Sequence, residues 1–160
     1  MKNGAKIAWG AAILWMAVIF MLSHQPGSQS SQLSSSVTEV IIQAIETIVP
    51  DSGGGVEQFH TIVRKNAHFF AYLLLGILLT NALRRSGVTG WQSFALAFMG
   101  SVVYAMSDEI HQLFIEGRSG EVRDVAIDSA GAAAGLLLYA LLVKLLSERN
   151  NIKNGVFPGR

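Results

Sequence analysis

Cysteine is absent from this chain of 160 residues, which removes disulfide bonds and thiolate chemistry and leaves the redox compartment unreadable. Charge is scarce as well: Asp, Glu, Lys and Arg make up 14% of the residues, against roughly 25% in an average soluble domain. That charge nearly cancels, with 12 Lys and Arg against 11 Asp and Glu and a formal net charge of +1. The clustered basic face that nucleic acid selects is therefore missing, and no nucleic-acid partner is expected. Neither H-E-x-x-H nor G-x-S-x-G occurs, so no local spacing defines a reaction. The first apolar run is followed by SHQPGSQS, which lacks the small-x-small site needed for signal-peptide cleavage. With Lys2 and Lys6 ahead of it, that run reads as an uncleaved anchor.

Apolar residues are plentiful, at 51% with a mean hydropathy of +0.40. They concentrate in runs over 7–22, 67–83, 88–106 and 125–146, each near the roughly 17 to 25 residues that cross a bilayer as a helix. The expected fold is all-α: one integral membrane domain over 1–160, a four-helix bundle with outer segments 23–66 and 107–124. Lys2, Lys6, Arg84, Arg85, Lys144, Arg149, Lys153 and Arg160 flank the runs on one side, which predicts a multi-pass protein with both termini cytoplasmic. All four histidines and every acid except Glu148 then fall on or near the opposite, outer side.

Within the outer segments, Ser/Gln-rich residues 23–36 contain Pro26 and Gly27, which predicts a flexible exit from the first helix. Val37, Val40, Ile41, Ala44, Ile45 and Ile48 recur at helical spacing opposite Glu39, Gln43 and Glu46. That predicts an outward-facing amphipathic helix over 37–49. Its polar face carries acids rather than the bases usual for interfacial adsorption, so it is expected to pack over the bundle. From Val56 a helical pattern runs straight into the second span, and His60, Arg64, His68 and Tyr72 form one polar stripe descending into the membrane, with Lys65 one position beside it.

Residues 107–135, SDEIHQLFIEGRSGEVRDVAIDSAGAAAG, hold the densest set of ionisable groups. Charges at such depth are costly and need partners or a task. Asp108 and Gln112 are one turn apart and share a face, with Glu109 and His111 expected to point elsewhere. Gly117 and Gly120 bracket a loop carrying Arg118. Asp124 and Asp128 are again one turn apart, and like charges at that spacing repel. A nearby Arg118, Arg123, His68 or cation, or protonation of Asp128, would relieve this. Gly131, Ala132 and Gly135 continue the Asp128 face, a pattern of helix-helix contact in membranes that turns Asp128 into the bundle.

The motifs RKNAHFFAYLLLGILL (64–79), residues 107–135 and the earlier FMLSHQPG, in that order, resemble the VanZ-like family of bacterial membrane proteins over most of the chain. The resemblance implies a place in the bacterial cytoplasmic membrane. It also implies recurring positions at Lys65, His68, Tyr72, Asp108, Glu109, Gln112, Arg118, Asp124 and Gly131, with Asn or Asp at 128. The founding member is associated with teicoplanin resistance, but the resemblance carries no reaction.

Two readings of the outer pocket follow. In the first it binds without catalysis, taking a lipid headgroup, a lipid-linked envelope precursor or a glycopeptide antibiotic, with Lys65, Tyr72, Gln112, Arg118 and Asp128 as binding residues. In the second it is a membrane-embedded hydrolase or transferase acting on a phosphorylated or lipid-linked envelope substrate. His68 is then general acid or base, Asp108, Glu109 and Asp124 orient it or hold a divalent cation, and Arg118 and Lys65 clamp phosphate. A purely structural ion-pair network is the plain alternative to both.

Overall fold

Four helices make up the fold: α1 (Lys2–Ser23), α2 (Val56–Arg85), α3 (Gly90–Gln112) and α4 (Val122–Lys153). The computed structural model describes residues 2–26, 56–118 and 120–153, and no strand occurs among them. The helix expected over 37–49 lies outside the described residues, as do the side chains of His60 and Arg64. Each described helix is longer than its apolar run. α2 shows why: its polar N-terminal stretch from Val56 continues one helix into the apolar part without a breaker, as its pattern predicts. The α2–α3 turn is made where Gly87 (φ 96°) and Gly90 (φ 62°) adopt left-handed backbone that disfavours a side chain.

Chain direction alternates. Trp9 Nε1 donates to Ser86 Oγ at 3.0 Å, joining the start of α1 to the end of α2. Ser23 Oγ donates to Asp108 Oδ2 at 2.8 Å, joining the end of α1 to the end of α3. α1 and α3 therefore run one way, and α2 and α4 run the other, parallel to each other. α2 is central, touching the other three helices and α4 most extensively.

The interior combines Ile19, Tyr72, Leu75, Leu79 and Leu136 with many small and polar residues. Ala12, Ala82, Ala97, Ala105 and Ala132 are fully buried, with Thr80, Ser93 and Ser101. Thr80 and Ser101 hydroxyls satisfy themselves on the Gly76 and Ala97 carbonyls one turn back. Most other large apolar side chains face outward: Ile7, Leu14, Met21, Met99, Val103, Leu137 and Leu141 are all exposed. An apolar exterior around a small-residue interior is suited to lipid, where close backbone packing rather than burial from water drives helix association.

α1, α2 and α4 each contain a stretch long and apolar enough to cross a membrane (Asn3–Ser23, Lys65–Arg85 and Val122–Asn150). The fourth expected run, 88–106, is helical in α3, but Gln92, Ser93 and Ser101 dilute its apolar character.

The α2–α4 contact shows the small-residue principle most directly. A Cβ on Gly131 would sit 2.2 Å from the Phe69 carbonyl oxygen, and one on Gly135 would sit 2.1 Å from that of Leu73. On the facing side, a Cβ on Gly76 would meet the Ala132 carbonyl oxygen at 2.7 Å. Only glycine permits this approach, which places successive turns of two parallel helices in fixed register.

Candidate functional site

That register carries upward from Gly131 into charged residues. One turn above the Phe69–Gly131 contact, the His68 Nδ1 atom lies 3.6 Å from Asp128 Oδ1. Another turn up, Lys65 Nζ lies 3.4 Å from Asp124 Oδ1 and 3.9 Å from Glu121 Oε2. Residues three apart on α2 thus meet residues four apart on α4. Lys65, His68, Asp124, Ile127 and Asp128 line a closed crevice between the two helices, too tight for a water molecule.

The end of α3 closes the inner side. Asp108, Glu109 and Gln112 are all buried. Gln112 Nε2 donates to Asp108 Oδ2 at 3.2 Å and to Glu109 Oε1 at 3.3 Å, and the backbone N–H of Glu121 donates to Glu109 Oε2 at 2.9 Å. Burial pushes the Glu109 carboxyl above the ordinary carboxylate range, opposed by that N–H; this group lies beyond the apolar run ending at Met106. Tyr72 is fully buried one turn below His68.

Glu109 was expected to point away from Asp108 and Gln112, and the structure corrects this. The end of α3 is covered on two sides, by Ser23 of α1 against Asp108 and by the segment entering α4 against Glu109. Both carboxylates are therefore interior although they are successive residues. His111 does turn outward. Its Nε2 lies 3.1 Å from His24 Nδ1, and both rings stack with Phe20 at the bundle edge. Arg123, offered as a relief for the Asp124–Asp128 repulsion, is exposed on α4, and Lys65 sits beside Asp124 instead.

Arg118 and Lys65 are also engaged separately, so the expected joint phosphate clamp is not the arrangement observed. The Arg118 guanidinium donates to Gln112 Oε1 at 3.2 Å and to the carbonyl oxygens of Leu22 (3.1 Å) and Gln25 (3.0 Å). It ties the C-terminal end of α1, where carbonyls lack helical partners, to the end of α3. Ser23 and Glu121 join the cluster without having been singled out from the sequence. Ser23 lies 85 positions from its partner, and no local pattern reports such a pairing.

All nine expected site residues thus gather at one end of the bundle, in two linked groups. Lys65, His68, Asp124 and Asp128 form the α2–α4 wall, with Tyr72 beneath; Asp108, Glu109, Gln112 and Arg118 form the α3 wall. One ligand atom each from His68, Glu109 and Asp128 lies within 4.8 Å of the others, which joins the two walls. Carboxylates outnumber cationic groups here. Asp128 is fully buried, and neither of its oxygens has a hydrogen-bond partner among the described residues; Tyr72 Oη and Asp108 Oδ1 share that condition. Asp124 Oδ1 lacks hydrogen-bond geometry too, but the Lys65 ammonium at 3.4 Å pairs it by charge.

A family model described as VanZ/LLP1 matches residues 8–143, spanning all four helices and every residue of the cluster. No curated protein matches the chain. No solved structure matches it either.

Proposed function

We propose that this chain, which belongs to the VanZ/LLP1 family, is a binding protein of the bacterial cytoplasmic membrane that receives the polar head of a membrane lipid or lipid-linked envelope precursor. The observation that carries this reading is the rim of the crevice between α2 and α4, where the partly exposed Lys65 and Asp124 side chains present charges of both signs at the end of a bundle whose flanks are apolar. A phosphate-bearing head with an amine finds Lys65 for the anion and Asp124 for the cation. The crevice behind that rim has no room for even a water molecule, so the head is met at the rim and an entire glycopeptide does not enter; a link to glycopeptide resistance runs through the lipid or precursor.

In this reading all four helices span the membrane. α3 is included because its outward side chains Leu96, Met99, Val103 and Met106 are exposed and apolar. Both termini are cytoplasmic and the pocket faces outward, since Arg84 and Arg85 end α2 at the opposite end of the bundle.

Native mass spectrometry of the protein released from membranes tests the reading. Wild-type chain is expected to retain a phospholipid or a lipid-linked pyrophosphate, distinguished by mass, and Asp124→Asn is expected to lose it. Equal retention by both would refute the assignment.

A second reading rests on the His68–Asp128 pair, an imidazole backed by a buried carboxylate in the manner of a general base. Turnover of a lipid-linked pyrophosphate by wild-type protein and not by His68→Ala would establish an enzyme. Retention of intact lipid without turnover would leave it a binder.

A further inference from the structure

The deepest part of the cluster is built differently from the pocket mouth. At the mouth, Asp124 has the Lys65 ammonium. Behind it, Asp128 is fully buried with two oxygens that accept no hydrogen bond among the described residues. Burying a carboxylate without full hydrogen bonding costs several kcal/mol, and the His68 ring at 3.6 Å, beyond hydrogen-bond distance, relieves that cost only in part. Nearby lie the His68 ring and the Glu109 carboxylate, the latter from a different helix. These three groups are the kinds of ligand that a divalent metal ion takes, and they converge from α2, α3 and α4.

We infer that His68, Glu109 and Asp128 form a binding site for one divalent first-row transition cation of the zinc or manganese class. Geometry and ligand chemistry both support the assignment. The His68 Nδ1 to Asp128 Oδ1 separation is 3.6 Å, and all three ligand atoms fall within 4.8 Å. Metal bonds of roughly 2.0 to 2.2 Å hold neighbouring ligands about 3 to 3.5 Å apart, so closure by on the order of an ångström completes the site. An imidazole among carboxylates favours a borderline cation over calcium or magnesium, which prefer oxygen alone. Three protein ligands leave a coordination position open, as in catalytic rather than structural zinc sites. A cation here neutralises the surplus of carboxylates and satisfies the Asp128 oxygens, which the His68 ring at 3.6 Å leaves without a hydrogen bond. His68 and Asp128 also line the crevice, but the inference rests on their convergence with Glu109 and stands without the lipid-head reading.

The test uses the full chain in detergent, stripped with chelator and then titrated with Zn²⁺ or Mn²⁺ alone. One tight equivalent per chain is expected. Loss of even an outer-sphere partner typically weakens metal binding by about 10 to 100-fold, so Asp128→Asn and Glu109→Gln should each weaken it by at least that range. Pulsed electron paramagnetic resonance of the Mn²⁺-loaded wild type should show coupling to one imidazole nitrogen, unchanged in His111→Ala. That control addresses the exposed His24–His111 pair, which could also attract a transition metal. Absence of a tight equivalent, absence of nitrogen coupling in the wild type, or loss of binding in His111→Ala would each overturn the site. The wild-type spectrum decides the matter even if a ligand variant fails to fold. Lipid retention measured on the stripped protein reports separately on the pocket mouth.

Discussion

The lower and upper halves of the α2–α4 seam use the same two helices in the same register, yet they are built from opposite materials. Below, Gly76, Gly131 and Gly135 bring backbones together, and no charged group there is buried without a hydrogen bond among the described residues, the Tyr72 hydroxyl being a neutral exception. Above, about 10 Å away at 1.5 Å rise per residue, Lys65 faces Asp124 and His68 faces Asp128. Glycine contact in lipid gains packing at little desolvation cost. Buried ion pairs recover their desolvation only with good geometry and full hydrogen bonding, and Asp128 has neither. The lower seam accounts for how α2 and α4 associate. The upper seam adds a cost that association does not require, which is the physical ground for assigning the chemistry to that end.

Filling the lower seam should break the comparison most violently. In Gly135→Leu even the first added carbon meets the Leu73 carbonyl oxygen at 2.1 Å, and backbone cannot yield as a side chain does. Overpacking usually costs about 1 to 3 kcal/mol, and a clash with backbone lies at or above the top of that range. The expected outcome is loss of folded protein, read as aggregation in size-exclusion chromatography. A monodisperse, thermally normal Gly135→Leu would mean that the glycine approach does not hold the helices.

Arg118→Ala should come next. Its guanidinium donates to two main-chain carbonyls of the α1 end and to Gln112, and hydrogen bonds from charged groups contribute about 1.5 to 3 kcal/mol each where buried, less where solvent reaches them as here. A clear fall in melting temperature is expected. Arg118→Lys should rescue it poorly, since a single ammonium cannot reproduce the planar fork. Full rescue by Lys would show that charge alone matters at this position.

Much of this division was legible in the sequence. The four apolar runs gave the helices. Asp124, Asp128, Gly131 and Gly135 at helical spacing predicted that one face of α4 turns inward, and it does. Helical periodicity identifies the face a residue occupies but not the neighbour waiting there. It therefore offered Arg118, Arg123, His68 or a cation as relief for the α4 acids; His68 does face Asp128, but the partner of Asp124 is Lys65, which that choice did not include. The same limit misdirected Glu109, because a helix end enclosed on two sides buries adjacent residues that a one-sided helix would separate. The Ser23–Asp108 bond and the Arg118 tie to Leu22 and Gln25 depend on chain segments brought together only by the bundle.

A moderate effect is expected at the pocket mouth. Lys65 and Asp124 keep 20% and 15% of their side-chain surface exposed, so solvent softens the cost of parting them. Lys65→Ala and Asp124→Ala should each lower the melting temperature, and the double variant should recover part of the loss. Coupled neighbours of this kind typically show interaction energies of about 0.5 to 3 kcal/mol, and this pair should sit in the lower half. Strict additivity would separate Lys65 from Asp124 and leave the upper seam without its outer pair.

Asp124→Asn should disturb the fold least and therefore sharpens the comparison most. The amide keeps the size of the side chain, accepts a hydrogen bond through its oxygen and can remain beside Lys65, so the melting temperature should stay close to wild type. Removing the carboxylate's charge nevertheless removes what an ammonium group in the pocket would seek, and lipid retention should fall. A purely structural ion-pair network predicts the reverse ordering, because it leaves Lys65 facing a neutral neighbour and gives the protein no ligand to lose. Membrane level, melting temperature and bound lipid measured on one preparation separate the two outcomes. Lowered folded protein with lipid still bound would assign the upper seam to folding, in common with the glycines below it.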